Sequence, residues 1–312
     1  PDHLHPERAS SGTEGNADGE EFSMMTIRID YVLEDVQEAI QVIQPTADAP
    51  YRVPHMYTRP LGLNSSRCWV PCLDSLWDRC TWELEYVVPR RLSVDMGDLD
   101  DETPEIYVIS SGELTEHAMH PQNPEKSVFY YTQQVATSVQ HVAFCAGPFV
   151  MTRLSPAGIQ TCETLSFCLP EHEHELRSTT QFAWQAIEYI SSEYGSYPFG
   201  SFKLVFVDGT HEDCHTASTL AICSSDLLHP PSVIDQAFEN RHILSHAVAF
   251  QWVGINIIQK TWADTWLIHG LSQYLASMFL RWLLGNNEYR FRMKKDCDRL
   301  CHWDIGMPPL YQ

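Results

Sequence analysis

The chain has 312 residues, of which 41 are acidic and 20 basic, giving a formal net charge of −21, and 44% are hydrophobic. That apolar share excludes a wholly disordered chain, and the length suits about two domains. A surface this acidic repels phosphate backbones, which disfavours nonspecific nucleic-acid binding while leaving room for a local basic patch.

Residues 1–21 are polar and rich in Gly and Ser, and they read as a disordered lead. Met25, Ile27, Ile29, Tyr31 and Leu33 then alternate with more polar neighbours, which predicts a strand. Segments 80–89, 105–114, 127–135 and 141–150 carry further strand patterns, broken by Pro, Gly and acidic turns such as the loop at 95–105. Residues 22–169 therefore read as an antiparallel, mostly β domain. The period changes at 170. Leu176, Phe182, Ala183, Ala186, Ile187 and Ile190 share a helical face within 171–195, and Gly195 closes it. Strands come next at 201–208 and 217–225. Three helices succeed them, over 232–253, 264–285 and 287–303, the first opened by a Ser232/Asp235 capping box. Residues 170–312 read as an α-rich domain, incomplete at its C-terminal side. Ten cysteines are scattered without a CxxC pair, so buried reduced thiols are expected rather than a zinc ribbon. No signal peptide and no apolar run of transmembrane length is read.

The helix at 232–253 carries the stretch RHILSHAVAFQW at 241–252. Two histidines at i and i+4 share a helix face and can hold one zinc, and a Glu at i+1 can activate the zinc-bound water. Here His246 takes the first ligand position, Ala247 the base position and Phe250 the second ligand position. A third ligand is due 23 positions after the first, where His269 stands in place of Glu.

The surrounding motifs resemble those of gluzincin-type aminopeptidases. His246, Gln251, Trp252 and Gly254 match their V-V-x-H-E-x-x-H-Q-W-x-G helix. Trp262, Asp264, Trp266, Leu267 and Gly270 match their W-x-N-D-x-W-L-N-E-G segment. The stretch at 65–89 is similar to their A-R-x-x-F-P-C-x-D-E-P strand and its downstream neighbour, and 193–208 to the segment before their G-x-M-E-N loop. The resemblance covers residues 22–303 and implies an α+β fold. It consists of an antiparallel sandwich or saddle domain followed by a thermolysin-like α-rich domain. Ala217 stands where the family's amine-binding Glu is due, and its transition-state tyrosine would lie beyond residue 312.

Asp74 and Ser75, with Cys80, Thr81 and Trp82, depart from working peptidases and are similar to the aminopeptidase-like TBP-associated factors, whose zinc site is degenerate. Arg67, Trp69, Pro71, Cys72, Leu84 and Glu85 belong to the same pattern, and 220–230 and 285–300 extend it. That resemblance implies a nuclear, non-catalytic scaffold in core promoter recognition at the initiator and in pre-initiation complex assembly. Its implied partners are TBP and other TBP-associated factors, with promoter DNA met through the assembled complex and no membrane. No cofactor is expected. The alternatives are a divergent zinc aminopeptidase and a peptide-binding pseudo-enzyme. His242, four residues before His246, could join His246 and His269 in a shifted three-His metal site. Such a site would still lack a base, because Ile243 comes directly after His242. Arg290, Arg292, Lys294 and Lys295 form the candidate DNA or partner patch.

Overall fold

The computed structural model describes residues 25–34, 36, 38–59, 65–92, 104–156 and 162–307. The polar lead at 1–21 and most of the acidic loop at 95–105 lie outside them.

Three sheets and a layer of helices stack on one another. The outer sheet has three antiparallel strands in the order β3 (Arg79–Pro89), β6 (Lys126–Ser138), β5 (Glu113–Met119). The middle sheet runs β1 (Ile40–Ile43), β2 (His55–Thr58), β7 (Phe144–Gly147), β4 (Tyr107–Ser110), again antiparallel. The inner sheet is mixed. Its order is β11 (Cys214–Ala217), β12 (Leu220–Ser224), β10 (Ser201–Val207), β9 (Glu163–Cys168), β8 (Val150–Arg153). β10 pairs in parallel with both β9 and β12, so this sheet draws strands from both sides of residue 169.

Every residue of β10 is buried, as expected for a strand covered on both faces. Phe202, Leu204 and Phe206 point to the helices, where they meet α2 (Ala183–Tyr194), α3 (Asp235–Phe250) and α4 (Thr265–Leu284). Val205 and Val207 point the other way, onto Tyr57, Ile109 and Cys145 of the middle sheet. A third core forms where Val108 and Ala146 of that sheet meet Phe129 and Tyr131 of the outer one. Two-faced burial therefore explains why 201–207 lacks the alternation of the outer strands.

Several expectations are corrected. Residues 25–34 form no strand; Met25, Ile27, Ile29, Tyr31 and Leu33 are all exposed, and no described residue offers this stretch a ladder. Alternation marks a face, but a strand also needs a partner. The 171–195 helix breaks into α1 (Glu173–Thr180) and α2, with Gln181 and Phe182 between them. Ser232 does not cap α3, which starts at Asp235 with Ile234 at the cap position and no side-chain bond there. The rigid Pro230–Pro231 pair precedes this turn and carries no N–H to enter a helix. Of the ten cysteines, only Cys145, Cys162, Cys168 and Cys223 are buried, although all ten are free thiols. Among the described residues, no helix is long and apolar enough to cross a membrane.

Candidate functional site

α3 and α4 pack side by side, and the face of α3 that carries His242, His246 and Phe250 opens on a cleft of about 530 Å³. α5 (Asn286–Trp303) continues from α4 after Gly285. The opposite wall of the cleft comes from β11 and from residues of the β layers. Arg79 of β3 fixes that wall, donating to the carbonyls of Asn256 at 3.0 Å and Ile255 at 3.2 Å. Trp77 adds a bond from Nε1 to the Gln259 carbonyl at 2.9 Å and an edge contact with Trp262.

The cleft is rich in imidazoles. His242, His246 and His269 line it as the spacing on α3 and α4 predicts, and His141 and His215 join them from across the cleft. The sequence pattern does not reveal those two. His215 sits on a four-residue edge strand too short for a periodic signal, and His141 lies in a turn after β6.

The phenyl ring at the second ligand position is the feature that orders the site. Phe250 meets His246 edge-on at 5.7 Å between centroids and stacks on His269 at 5.5 Å. The phenyl ring thus puts apolar carbon against both imidazoles. His246 has another partner, with Nε2 3.0 Å from Ser272 Oγ. Ser272 Oγ donates its one proton to the His269 carbonyl at 3.0 Å, so His246 must be the donor to Ser272, with its proton on Nε2. His242, His246 and His269 do not bring their donor atoms within 4.8 Å of one another. The donor set therefore does not fit a three-imidazole zinc. Among the described residues the one group that meets this distance is Glu171, His172 and Asp208, outside the cleft lining.

Burial disfavours the charged form of His141, His215, His242 and His246. It holds His246 down to about 4, helped by the neighbouring His269 and His242. Burial likewise lowers His215 to about 4, and His141 to about 3 with His215 and Arg79 assisting. His242 is also lowered by burial, against the raising influence of Asp296. Ala247, at the base position, is buried in the helix core and has no group to take a proton.

Ala217 is not brought to the cleft. It is fully buried between the inner and middle sheets, and its carbonyl accepts from Gln251 Nε2 at 2.8 Å. Gln251 Oε1 in turn accepts from Thr219 N at 2.9 Å. Thr219 has a positive φ of 59° and its Oγ1 accepts from Gly112 N at 2.9 Å. The buried Lys203 donates to the Gly112 carbonyl and to Ser201 Oγ. One chain of bonds thus runs from α3 through the β11–β12 turn into the β layers. Trp252 is buried, with Nε1 donating to the Gly195 carbonyl at 2.9 Å, whereas Trp262 and Trp266 are exposed.

The basic row on α5 is laced with ion pairs. Arg292 pairs with Glu239 at 2.6 Å and Glu288 at 2.8 Å, Lys294 with Asp298 at 3.0 Å, and Lys295 with Glu239 at 3.6 Å. Arg290 has no ion-pair partner among the described residues.

Fold and cleft together define an α+β protein whose helix-lined cleft gathers imidazoles around a phenyl ring. No family model matches the chain. Curated sequences do. It is 33% identical to transcription initiation factor TFIID subunit 2 of Schizosaccharomyces pombe over 343 aligned residues, 94% of this chain and 29% of that protein. Identity to the subunit 2 of Drosophila melanogaster is 32%, over 93% of this chain and 23% of that protein, and to that of Danio rerio 28%, over 92% and 23%. These matches make the chain a relative of the TFIID subunit 2 family, and it spans less than a third of the length of the members it matches.

Proposed function

We propose that the chain is a non-catalytic, aminopeptidase-like part of a TFIID subunit. In this reading it acts as a nuclear scaffold that helps the complex engage the core promoter around the initiator and assemble the RNA polymerase II pre-initiation complex. Its partners would be TBP and other TBP-associated factors, and promoter DNA would be met through the assembled complex. Two independent lines support this: the names of the relatives and the chemistry of the cleft.

The observation that carries the non-catalytic reading is Phe250, edge-on to His246 and stacked on His269, with Ala247 on the same helix. A zinc hydrolase needs three protein ligands, an open position and a base for the metal-bound water. This cleft offers imidazoles held neutral by burial, and a phenyl ring where a ligand is required. The expected outcome is that purified chain hydrolyses no aminoacyl amide with or without added zinc. Turnover that a chelator abolishes would instead establish the divergent peptidase.

A net charge of −21 suits docking against basic protein surfaces. Arg290, Arg292, Lys294 and Lys295 serve in this reading as a secondary DNA or partner contact. Three of them would have to exchange carboxylates for phosphates to make it. The open cleft of about 530 Å³ is also large enough for a short peptide. Peptide capture without cleavage is therefore the second reading, tested by titrating tripeptides into the folded chain and reading binding by calorimetry.

A further inference from the structure

Cys214 and Cys223 face each other across the β11–β12 pair, with Sγ atoms 2.9 Å apart. The ladder type at this position matters. Ser224 N donates to the Asp213 carbonyl at 2.9 Å, so the neighbouring couple 213/224 is a hydrogen-bonded one. Couples alternate along an antiparallel ladder, which makes Cys214/Cys223 a non-hydrogen-bonded couple, the kind whose Cα atoms approach to about 4.5 Å. That separation falls inside the window of roughly 4.4–6.8 Å that a disulfide bridges without backbone movement. We propose that Cys214 and Cys223 are a reversible thiol–disulfide pair, oxidised by a low-molecular-weight disulfide entering the cleft.

Access sets the order of events. Cys214 is half-buried and lines the cleft, whereas Cys223 is fully buried in the helix-side core. Burial also holds the Cys223 thiol well above its ordinary value, which suits the role of second partner. Cys214, as thiolate, attacks one sulfur of the external disulfide. A mixed disulfide forms and one small thiolate leaves. Cys223 then attacks Cys214 Sγ, its proton passes to the departing sulfur, and the second small thiol is released. Two protein thiols lose two electrons in total, and the external disulfide is reduced to two thiols. A reducing compartment keeps such a pair as thiols at rest and lets it oxidise transiently. Oxidation would staple the edge strand β11, which carries His215 and one wall of the cleft, to its neighbour β12 in the same sheet.

No comparable couple exists on α5. Cys297 and Cys301 are four residues apart on one helix, where Cβ atoms lie about 5–6 Å apart, beyond the roughly 3.5–4.5 Å of a disulfide.

The test is incubation of the folded chain with glutathione disulfide, followed by alkylation and peptide mapping. The expected product is a cross-link between the peptides holding residues 214 and 223, with alkylation lost at both of these cysteines and recovered in full on reduction. Two single variants sharpen it. Cys223→Ser should stop at a glutathione adduct on Cys214, whereas Cys214→Ser should leave Cys223 unmodified. The proposal is overturned if the wild-type chain shows no 214–223 cross-link under conditions that glutathionylate the exposed Cys80, Cys297 and Cys301.

Discussion

The two sides of α3 have opposite character. On its floor, Gln251 and Trp252 are buried with their polar atoms bonded, to Ala217, Thr219 and Gly195. On its cleft side, the methyl of Ala247, the phenyl ring of Phe250 and the imidazoles of His242 and His246 face the opening. Of the matched helix motif, Gln251 and Trp252 lie on the floor, whereas His246 and Gly254 line the cleft. The difference teaches that a fold's structural polar groups persist where each one satisfies another buried group. On the cleft side the contacts are instead ring on ring, with the His246–Ser272 bond beside them.

The largest expected effect tests the floor. Gln251→Leu keeps the volume but strands the Thr219 amide and the Ala217 carbonyl in the core, and urea unfolding should show a loss of about 2–4 kcal/mol. A loss under about 0.5 kcal/mol would erase the contrast between the two sides. Gly254→Ala comes next. Its φ is +140°, and a Cβ there would lie 2.5 Å from the Phe250 ring, so about 1–3 kcal/mol should be lost. The same change made in a Phe250→Ala background should cost less, because the overlap is gone while the φ strain remains.

The cleft side should respond to pH. His246, His215 and His141 bind protons less readily folded than unfolded, so the unfolded state takes up more protons as pH falls. Their contribution is fully present above the ordinary value of 6.5 and is lost as pH drops from there through about 4 for His246 and His215 and about 3 for His141. A His246→Gln variant should show a flatter dependence of Tm on pH across that window, with little change at pH 8. An unchanged slope would mean that the imidazole is not held neutral. The smallest effect is expected on α5. Reversing the charge of Arg290, Arg292, Lys294 and Lys295 should weaken promoter binding by the assembled complex only a few-fold at matched salt, since three of the four are already paired.

How much of the molecule is legible in its sequence differs between the same two sides. The elements bearing the floor are readable because helical period, Gly stops and apolar runs are local signals: α4 and α5 end as their glycine and spacing predict, and β10 lies where its apolar run does. The spacing of His242, His246 and Phe250 on one face comes from 3.6 residues per turn. Whatever needs tertiary pairing is not readable. β11 is four residues at a sheet edge, residues 25–34 have the pattern of a strand but no ladder, and His141 and His215 reach the cleft only through the stacking of sheets. The exposure of Trp262 and Trp266 is equally invisible, because an aromatic residue on a helix reads as core until its neighbours are known.

The central claim is that Phe250 stands where a ligand is needed and so keeps the imidazoles of the cleft from sharing a metal. The most direct test is a zinc titration of the folded wild-type chain beside its Phe250→His variant, read by calorimetry and by metal content after dialysis. No stoichiometric zinc is expected in the wild type. A gain of binding is expected in the variant, which places imidazoles at 246 and 250 on one helix face opposite His269. One tightly held zinc per wild-type chain, unaffected by the substitution, would contradict the claim.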